Sequence, residues 1–346
     1  MIPQMFRPAS ITLALVLWSA AGMAQTPYYA DKTITIIAGT QPGDVYDLYA
    51  RHFAKYMPKY IPGTPNIIVQ NLPGADSMIA ANYVYNSVSP DGLTIGAILP
   101  ELYFDQLVEH HEVKFDWSKF AWLGSPVTSN HLLYMRSGSP FKTIKHVVKA
   151  SPGPKCGATG TNSPSYYVPK LLDEVIGTNF EVVLEYQAEQ DIDLAIERNE
   201  VVCGVFTRTA LLAREPYVTW RRTRLVKPLV QTGRKRDRKI RFTPTIYELM
   251  DQYKTPDAGR SLATLVLAAG DFGKPYVMPP NTPIEQREII RRAFEQVLRD
   301  EAAIADAVEK KLEIDPSNGD KLAKLADEMT HQSPDVLANM KKLLKQ

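Results

Sequence analysis

Strand-like and helix-like hydrophobic patterns alternate along this chain from residue 33 onward. Thr33, Ile34, Thr35, Ile36 and Ile37 predict a β-branched strand, closed by a turn that holds Gly39, Pro42 and Gly43. From about Tyr46, the residues Tyr49, Phe53 and Tyr56 recur at helical spacing. Residues 67–70 predict a second strand, broken at 71–75, and Ser77 opens a helix carrying Ile79 and Tyr83. Residues 93–98 predict a third strand, and residues 122–135 read as one long extended stretch. Residues 156–160 run as a strand into a loop, after which Val168, Leu171, Leu172 and Val175 share a helical face. A strand at 180–184, a helix at 191–198, a strand at 201–206 and a strand-like run at 223–229 follow. The apolar run 262–269 predicts a strand returning to the first unit.

From Thr282 the pattern is helical. Thr282, Pro283 and Glu285 predict a capping box with proline at the first helical position. Ile290, Phe294 and Val297 line one face, Ile304, Ala307 and Val308 another. Ser333 caps a last helix that buries Val336, Met340 and Leu344. Strands and helices at this density predict right-handed βαβ units. The expected fold is α/β with two lobes, each a mostly parallel sheet flanked by helices, and a ligand cleft between them at the carboxyl ends of the strands. The first lobe is expected to take residues 25–126 and 252–346, and the second 127–251, with crossings near 127 and 252. No solenoid-period repeat and no low-complexity tract occurs.

Residues 1–24 read as an export signal rather than structure. Arg7 is the only charge before Asp31, residues 11–18 are apolar, and Gly22, Met23 and Ala24 resemble a cleavage site before Gln25. The alternative is an uncleaved anchor, although the apolar run is short for a bilayer. No cysteine follows the run, which argues against lipoprotein processing. These features place the chain in the periplasm. The 346 residues are 45% hydrophobic and 23% charged, with 40 Lys plus Arg against 38 Asp plus Glu. No block of like charge resembles a nucleic-acid tail, and the basic cluster at 235–241 reads as a solvated loop.

Three turns at predicted strand ends have the makings of binding loops. The first runs from Thr40 and Gln41 through Gly43 and Asp44 to Tyr46; the second holds Gly74, Ala75 and Asp76; the third holds Thr161, Asn162 and Ser163. Helix starts leave backbone N–H groups unpaired, and with the helix dipole these attract anions. Any one such turn alone is as well explained by capping and loop preference.

The order of several motifs resembles the substrate-binding proteins of tripartite tricarboxylate transporters, also called Bug receptors. Gly43, Asp47, Ala50 and Arg51 match an opening Gly-Gly-x-x-Asp-x-x-Ala-Arg segment, and Asn71, Pro73, Gly74 and Ala75 match Asn-x-Pro-Gly-Ala-Gly. Pro90, Asp91, Gly92, Thr94 and Gly96 match Pro-Asp-Gly-x-Thr-x-Gly. Residues 228–233, 244–248 and 279–283 match later segments, with Asn281 in place of a glycine. The resemblance implies a type II periplasmic binding-protein fold whose cleft closes on a small organic acid. It implies delivery of that acid to a membrane permease with one large and one small subunit. It also places the ligand carboxylate on donors of Gln41, Gly43, Gly74 and Ala75, with Thr161 and Ser163 from the second lobe. A monomer with no cofactor, no metal and no nucleic-acid partner is expected.

The chain departs from that pattern at Asp44 and Asp76, which replace glycines, and at Glu101, where a small polar residue is more usual. Inward-facing carboxylates would repel an anion. Either they cap helix N-termini, the favoured reading because Asp near a helix start is stabilising, or they select a cation on the ligand, or the pocket has drifted. Arg208, just past Thr207, could answer a distal carboxylate or sit on a surface loop. Tyr46, Tyr103, Tyr166 and Tyr186 could form an aromatic wall or be packing residues. Cys156 and Cys203 lie on strands expected to be neighbours, each four residues before its loop, so a disulfide is one alternative and two free thiols the other. Enzymatic readings have little support. His110, His111 and Glu112 lack the second histidine of a zinc-protease helix, and no nucleophile elbow or dinucleotide-binding glycine motif occurs. A sensor protein of the same fold and, less well supported, a periplasmic hydrolase remain the alternatives to a transport receptor.

Overall fold

The structure, a computed structural model, describes residues 26–208, 210 and 214–344; the signal segment expected at 1–24 lies outside the described residues. Eleven strands are described: β1 Thr33–Ala38, β2 Asn66–Asn71, β3 Thr94–Ala97, β4 Ala121–Ser125, β5 His131–Arg136, β6 Lys155–Gly157, β7 Glu181–Val183, β8 Cys203–Thr207, β9 Val226–Gln231, β10 Tyr276–Met278 and β11 Ser317–Asn318. They form two sheets, one of order β11-β4-β10-β3-β1-β2 and one of order β7-β6-β8-β5-β9. Strand β1 is buried on both faces. Ile34, Ile36 and Ala38 meet Phe53 and Phe294, while Ile37 meets Val84 and Leu102 on the other side. That double burial explains its unbroken β-branched run.

Each sheet is mixed rather than mostly parallel. β1 pairs in parallel with β2 and β3, and β6 with β7 and β8, as helical crossovers require. β10 runs antiparallel to β3 and β4, and β5 antiparallel to β8 and β9. These antiparallel members are the strands next to the points where the chain changes sheet. The stretch 122–135 is therefore two strands and not one: β4 closes in the first sheet at Ser125, and β5 opens in the second at His131.

The run 262–269 is helical, not a strand. It lies inside helix Asp257–Phe272, and the returning strand is the short β10 beyond it. Leu262, Ala263, Leu265, Val266, Leu267, Ala268 and Ala269 are all buried, because the helix packs on helix Pro164–Ile176 and also on helices Gly319–Thr330 and Pro334–Leu343. A helix covered on several sides loses its polar stripe and imitates a buried strand. Its richness in Ala and Leu was the contrary signal.

The expected capping box at Thr282 is not formed. The Thr282 hydroxyl donates back to the Pro279 carbonyl at 2.8 Å, and Pro283 is the N-cap of helix Ile284–Val297. Two expected helix faces also point the other way. Ile79 and Tyr83 are exposed while Ala80, Ala81 and Val84 face inward, and Ile304 and Val308 are exposed while Ala303 and Ala307 are buried. The first of these helices approaches the sheet through small residues, and the second approaches helix Val45–Tyr56 in the same way. Ser333 caps the last helix with Pro334 at its first position, and Val336 and Met340 are buried.

The two passages between sheets lie side by side. Ser129 N–H donates to the Gly270 carbonyl at 2.8 Å, and Lys274 N–H donates to the Ser125 hydroxyl at 2.9 Å. Gly273 sits at φ +67°, and a Cβ there would lie 1.8 Å from the Val127 carbonyl oxygen, so only glycine allows the two passages to touch.

Cys156 and Cys203 face each other in the β6–β8 register, with Cα atoms 4.5 Å apart, and are joined by a disulfide. Thiol titration of the denatured, unreduced protein should find no free thiol. Reduction should expose both and lower stability by up to about 4 kcal/mol, the chain-entropy value for a bond separating residues by 47 positions. Two titratable thiols before reduction would remove the bond from the fold.

Candidate functional site

The first turn is built around a buried carboxylate. Asp47, in the first turn of helix Val45–Tyr56, accepts from Gly43 N–H at 2.8 Å, from Arg51 Nε at 2.9 Å and from Asn71 Nδ2 at 2.9 Å. Asn71 also donates to the Thr40 carbonyl at 3.1 Å, which ties the ends of β1 and β2 together. Burial pushes the Asp47 carboxyl up, but the hydrogen bonds from Arg51, Gly43 and Asn71 together hold it below the usual carboxylate range. Asp44 caps the same helix, accepting from Tyr46 N–H at 3.0 Å.

This arrangement corrects the first-turn expectation. Gly43 N–H, expected to meet a ligand, is taken by Asp47, and Thr40, Gln41 and Gly43 do not line the cavity described below. Gly74 and Ala75 of the second turn do not line it either. The second turn is conformationally unusual: Ala75, Asp76 and Ser77 all take positive φ, at +44°, +49° and +75°. Each such residue costs on the order of 1 kcal/mol or more. The turn carries Asp76 into the cavity.

Between the sheets lies a cavity of about 690 Å³. Asp44, Tyr46, Asp76, Glu101 and Asp105 line it from the first sheet's side. Thr161, Asn162, Ser163, Thr207 and Arg208 line it from the second. Tyr186 does not; its ring packs beside Gly157, and the next residue, Gln187, reaches the cavity instead. Neighbours along an extended segment point to opposite sides, which accounts for the one-residue error. Tyr103 is a packing residue whose hydroxyl donates to the Leu265 carbonyl at 2.5 Å. Tyr166 is likewise buried in the core, so of the four tyrosines only Tyr46 meets the cavity.

Charged residues that the sequence pattern did not single out dominate the cavity. Lys274 enters from the second passage, next to Gly273, and its ammonium lies 4.8 Å from the centre of the Tyr46 ring. Burial pushes this ammonium down, and Glu101, Asp44 and Glu189 oppose that, in that order. Among the described residues Lys274 joins no ion pair within 4.0 Å. Burial pushes the Glu101 carboxyl up to about 7, and Asp76 adds to the rise; a backbone donor, Lys274 and Tyr167 act against it. Asp105 is also raised by burial, against a hydrogen bond of 2.9 Å from Asn162 Nδ2. Burial, with Lys274 behind it, holds His131 down to about 3, so this imidazole stays neutral. Glu189 and Arg214 complete the second side, and Lys311 and Glu313 come from the C-terminal region.

Asp44 is thus a cap, whereas Asp76 and Glu101 face the cavity without capping a helix through their side chains. Arg208 is neither a surface residue nor an open anion site. It pairs with Asp237 at 3.2 Å and with Glu313, an ion pair that joins the second sheet to the C-terminal region. Asn162 to Asp105 is a second contact between the two sides. The one sequence signal for Lys274 was a solitary cation after a glycine in an otherwise apolar run from 262 to 278, broken also by Asp271. Among the described residues no group of three metal-ligating side chains exists, and no helix is long and apolar enough to cross a membrane.

No family model and no curated protein matches this chain. Solved structures do. A TctC solute-binding protein from Polaromonas is similar with a TM-score of 0.69 at 16% identity, over 92% of this chain and 99% of its own. The malate-bound MatC from Rhodopseudomonas palustris gives 0.60 at 18% identity, over 90% and 99%. An adipate-bound protein from the same organism gives 0.63 at 17% identity, over 91% and 97%. At these identities the likeness establishes the fold: a two-lobed α/β periplasmic-binding-protein architecture.

Two outcomes follow from the site's electrostatics. Asp47→Ala leaves the Gly43 N–H and the Arg51 guanidinium without their acceptor and should lower unfolding free energy by about 2–4 kcal/mol in urea titrations. A loss below the scatter of surface substitutions would remove Asp47 as the organiser of the turns. Glu101→Gln should change stability in a pH-dependent way. Because the folded carboxyl titrates near 7 and the unfolded one near its ordinary value of 4.5, ionising Glu101 opposes folding. The variant should match the parent below about pH 4.5 and become progressively more stable than it up to about pH 7. A constant difference across that range, read by thermal melting, would contradict the raised carboxyl.

Proposed function

We propose that this protein is an exported solute receptor that binds a small organic carboxylate between its lobes and delivers it to the permease subunits of a tripartite tricarboxylate-type transporter. The observation that carries this reading is Lys274. It is a cation held in the cavity between the sheets, in no ion pair among the described residues, on the passage about which the lobes would close. A cation so placed, away from bulk water, is a strong partner for a carboxylate. The turn of Thr161, Asn162 and Ser163 lines the same cavity at the start of helix Pro164–Ile176, where the helix dipole favours negative charge. The solved structures that hold malate and adipate support the reading, as do the signal-like pattern of residues 1–24 and the motifs that resemble those of tricarboxylate-transporter receptors. In this proposal the ligand-binding residues are Lys274, Tyr46, Glu101, Thr161, Asn162, Ser163 and Arg214, while Arg208 and Glu313 hold the lobes together. The role proposed is capture of the guest for transport.

A micromolar affinity requires about 8 kcal/mol, within reach of a few charge-assisted hydrogen bonds and an enclosed guest. A thermal-shift screen of organic acids should therefore find at least one carboxylate that raises the melting temperature. Lys274→Met should weaken that carboxylate by about 10- to 100-fold, the loss of one charge-assisted interaction. Stabilisation by sugars or simple amines with none by any carboxylate would overturn the reading.

A further inference from the structure

The cavity wall carries more negative than positive charge. Some of this is settled internally: Arg208 is held by Asp237 and Glu313, Asp44 caps a helix, and Asp105 is engaged by Asn162. Glu101 and Asp76 remain on the first lobe and Glu189 on the second, against Lys274 at the passage, Arg214 on the second lobe and Lys311 from the C-terminal region. Among the described residues Glu101, Asp76, Glu189, Lys274 and Arg214 join no ion pair within 4.0 Å. They therefore act on each other beyond ion-pair distance. Glu101 and Asp76 repel one another, and Lys274 is attracted to both Glu101 and Glu189.

A guest carrying only carboxylates would satisfy Lys274 and Arg214. It would also force Glu101, Asp76 and Glu189 into closer quarters with further negative charge, with water excluded. A guest with a carboxylate and an ammonium group answers both sets at once. We propose, resting on the carboxylate-receptor reading above, that the ligand is an amino carboxylate, its acid group met by Lys274 and Arg214 and its ammonium group met by Glu101 and Asp76. The enclosed volume of about 690 Å³ is ample for a free amino acid. Glu101 acts here as a specificity determinant: it rejects the hydroxy and unsubstituted analogues, which leave it unanswered.

Matched pairs test this directly. Calorimetric titration of the mature chain at neutral pH would compare L-aspartate with L-malate and succinate, L-glutamate with 2-hydroxyglutarate, and 4-aminobutyrate with butyrate. At least one amino member should bind about 10-fold or more tighter than its partner, the discrimination of one charge-assisted contact. Glu101→Gln should weaken the amino member by about 10-fold or more and leave or improve the hydroxy member. Should Glu101→Gln not fold, Asp76→Asn should shift the same ratio in the same direction. Tighter or equal binding of the hydroxy or unsubstituted acids overturns the amino-carboxylate inference and leaves the receptor reading standing. Binding of amines without a carboxylate, such as putrescine, in preference to all acids overturns both. Failure of every amino carboxylate and every plain acid to bind also overturns both.

Discussion

A charge taken out of water must be given a partner or lose its ionisation, and the cleft of this protein is arranged around that requirement. Two buried carboxylates meet it in opposite ways. Asp47 collects three donors, from a backbone N–H, an arginine and an asparagine, and stays ionised. Its partners belong to the ends of β1 and β2, so one carboxylate fixes both first-lobe turns. Glu101 meets a backbone donor and Tyr167, but burial outweighs them and its carboxyl is pushed up to about 7. The first is structure and the second is readiness for a guest.

That contrast explains which parts of the site could be read in advance. The motif of Gly43, Asp47 and Arg51, together with Asn71, was visible in order and spacing, and it is the part that holds the turns. The backbone donors assigned to ligand in that turn were misassigned because sequence shows that a helix start has spare N–H groups, not that a side chain three or four residues on will take one. Capping by Asp44 was readable for the same local reason. The turns at Asp76 and at Thr161, Asn162 and Ser163 were placed correctly at strand ends, since topology alone brings those ends together.

What was not legible depends on contacts distant in sequence. Helix Asp257–Phe272 looked like a strand because it is enclosed by helices from the second lobe and the C-terminal region, and enclosure erases the polar stripe. With that helix misread, Lys274 became an unremarked residue after a strand instead of the cation at the joint between lobes. Glu313 and Arg208 lie over a hundred positions apart, and nothing local announces their pairing. Tyr186 and Gln187 show the finer limit: a one-residue change of phase in an extended segment exchanges the side chain in the core for the one in the cavity.

The joint and the charge balance are physically one device. Gly273 lets the two passages lie in contact, and the residue after it is the cation of the cavity. Any rotation of the lobes about these passages changes how near Lys274 and Glu101 stand to Glu189 and Arg214 on the other side. Charges on opposite walls resist approach when they are alike and unscreened, and they welcome it when a guest of matching polarity sits between them. Closure is then favourable only around a molecule whose own charges complete the pattern. The side chains of Thr161, Ser163 and Thr207 carry no charge, so the charged residues of the cleft set that pattern.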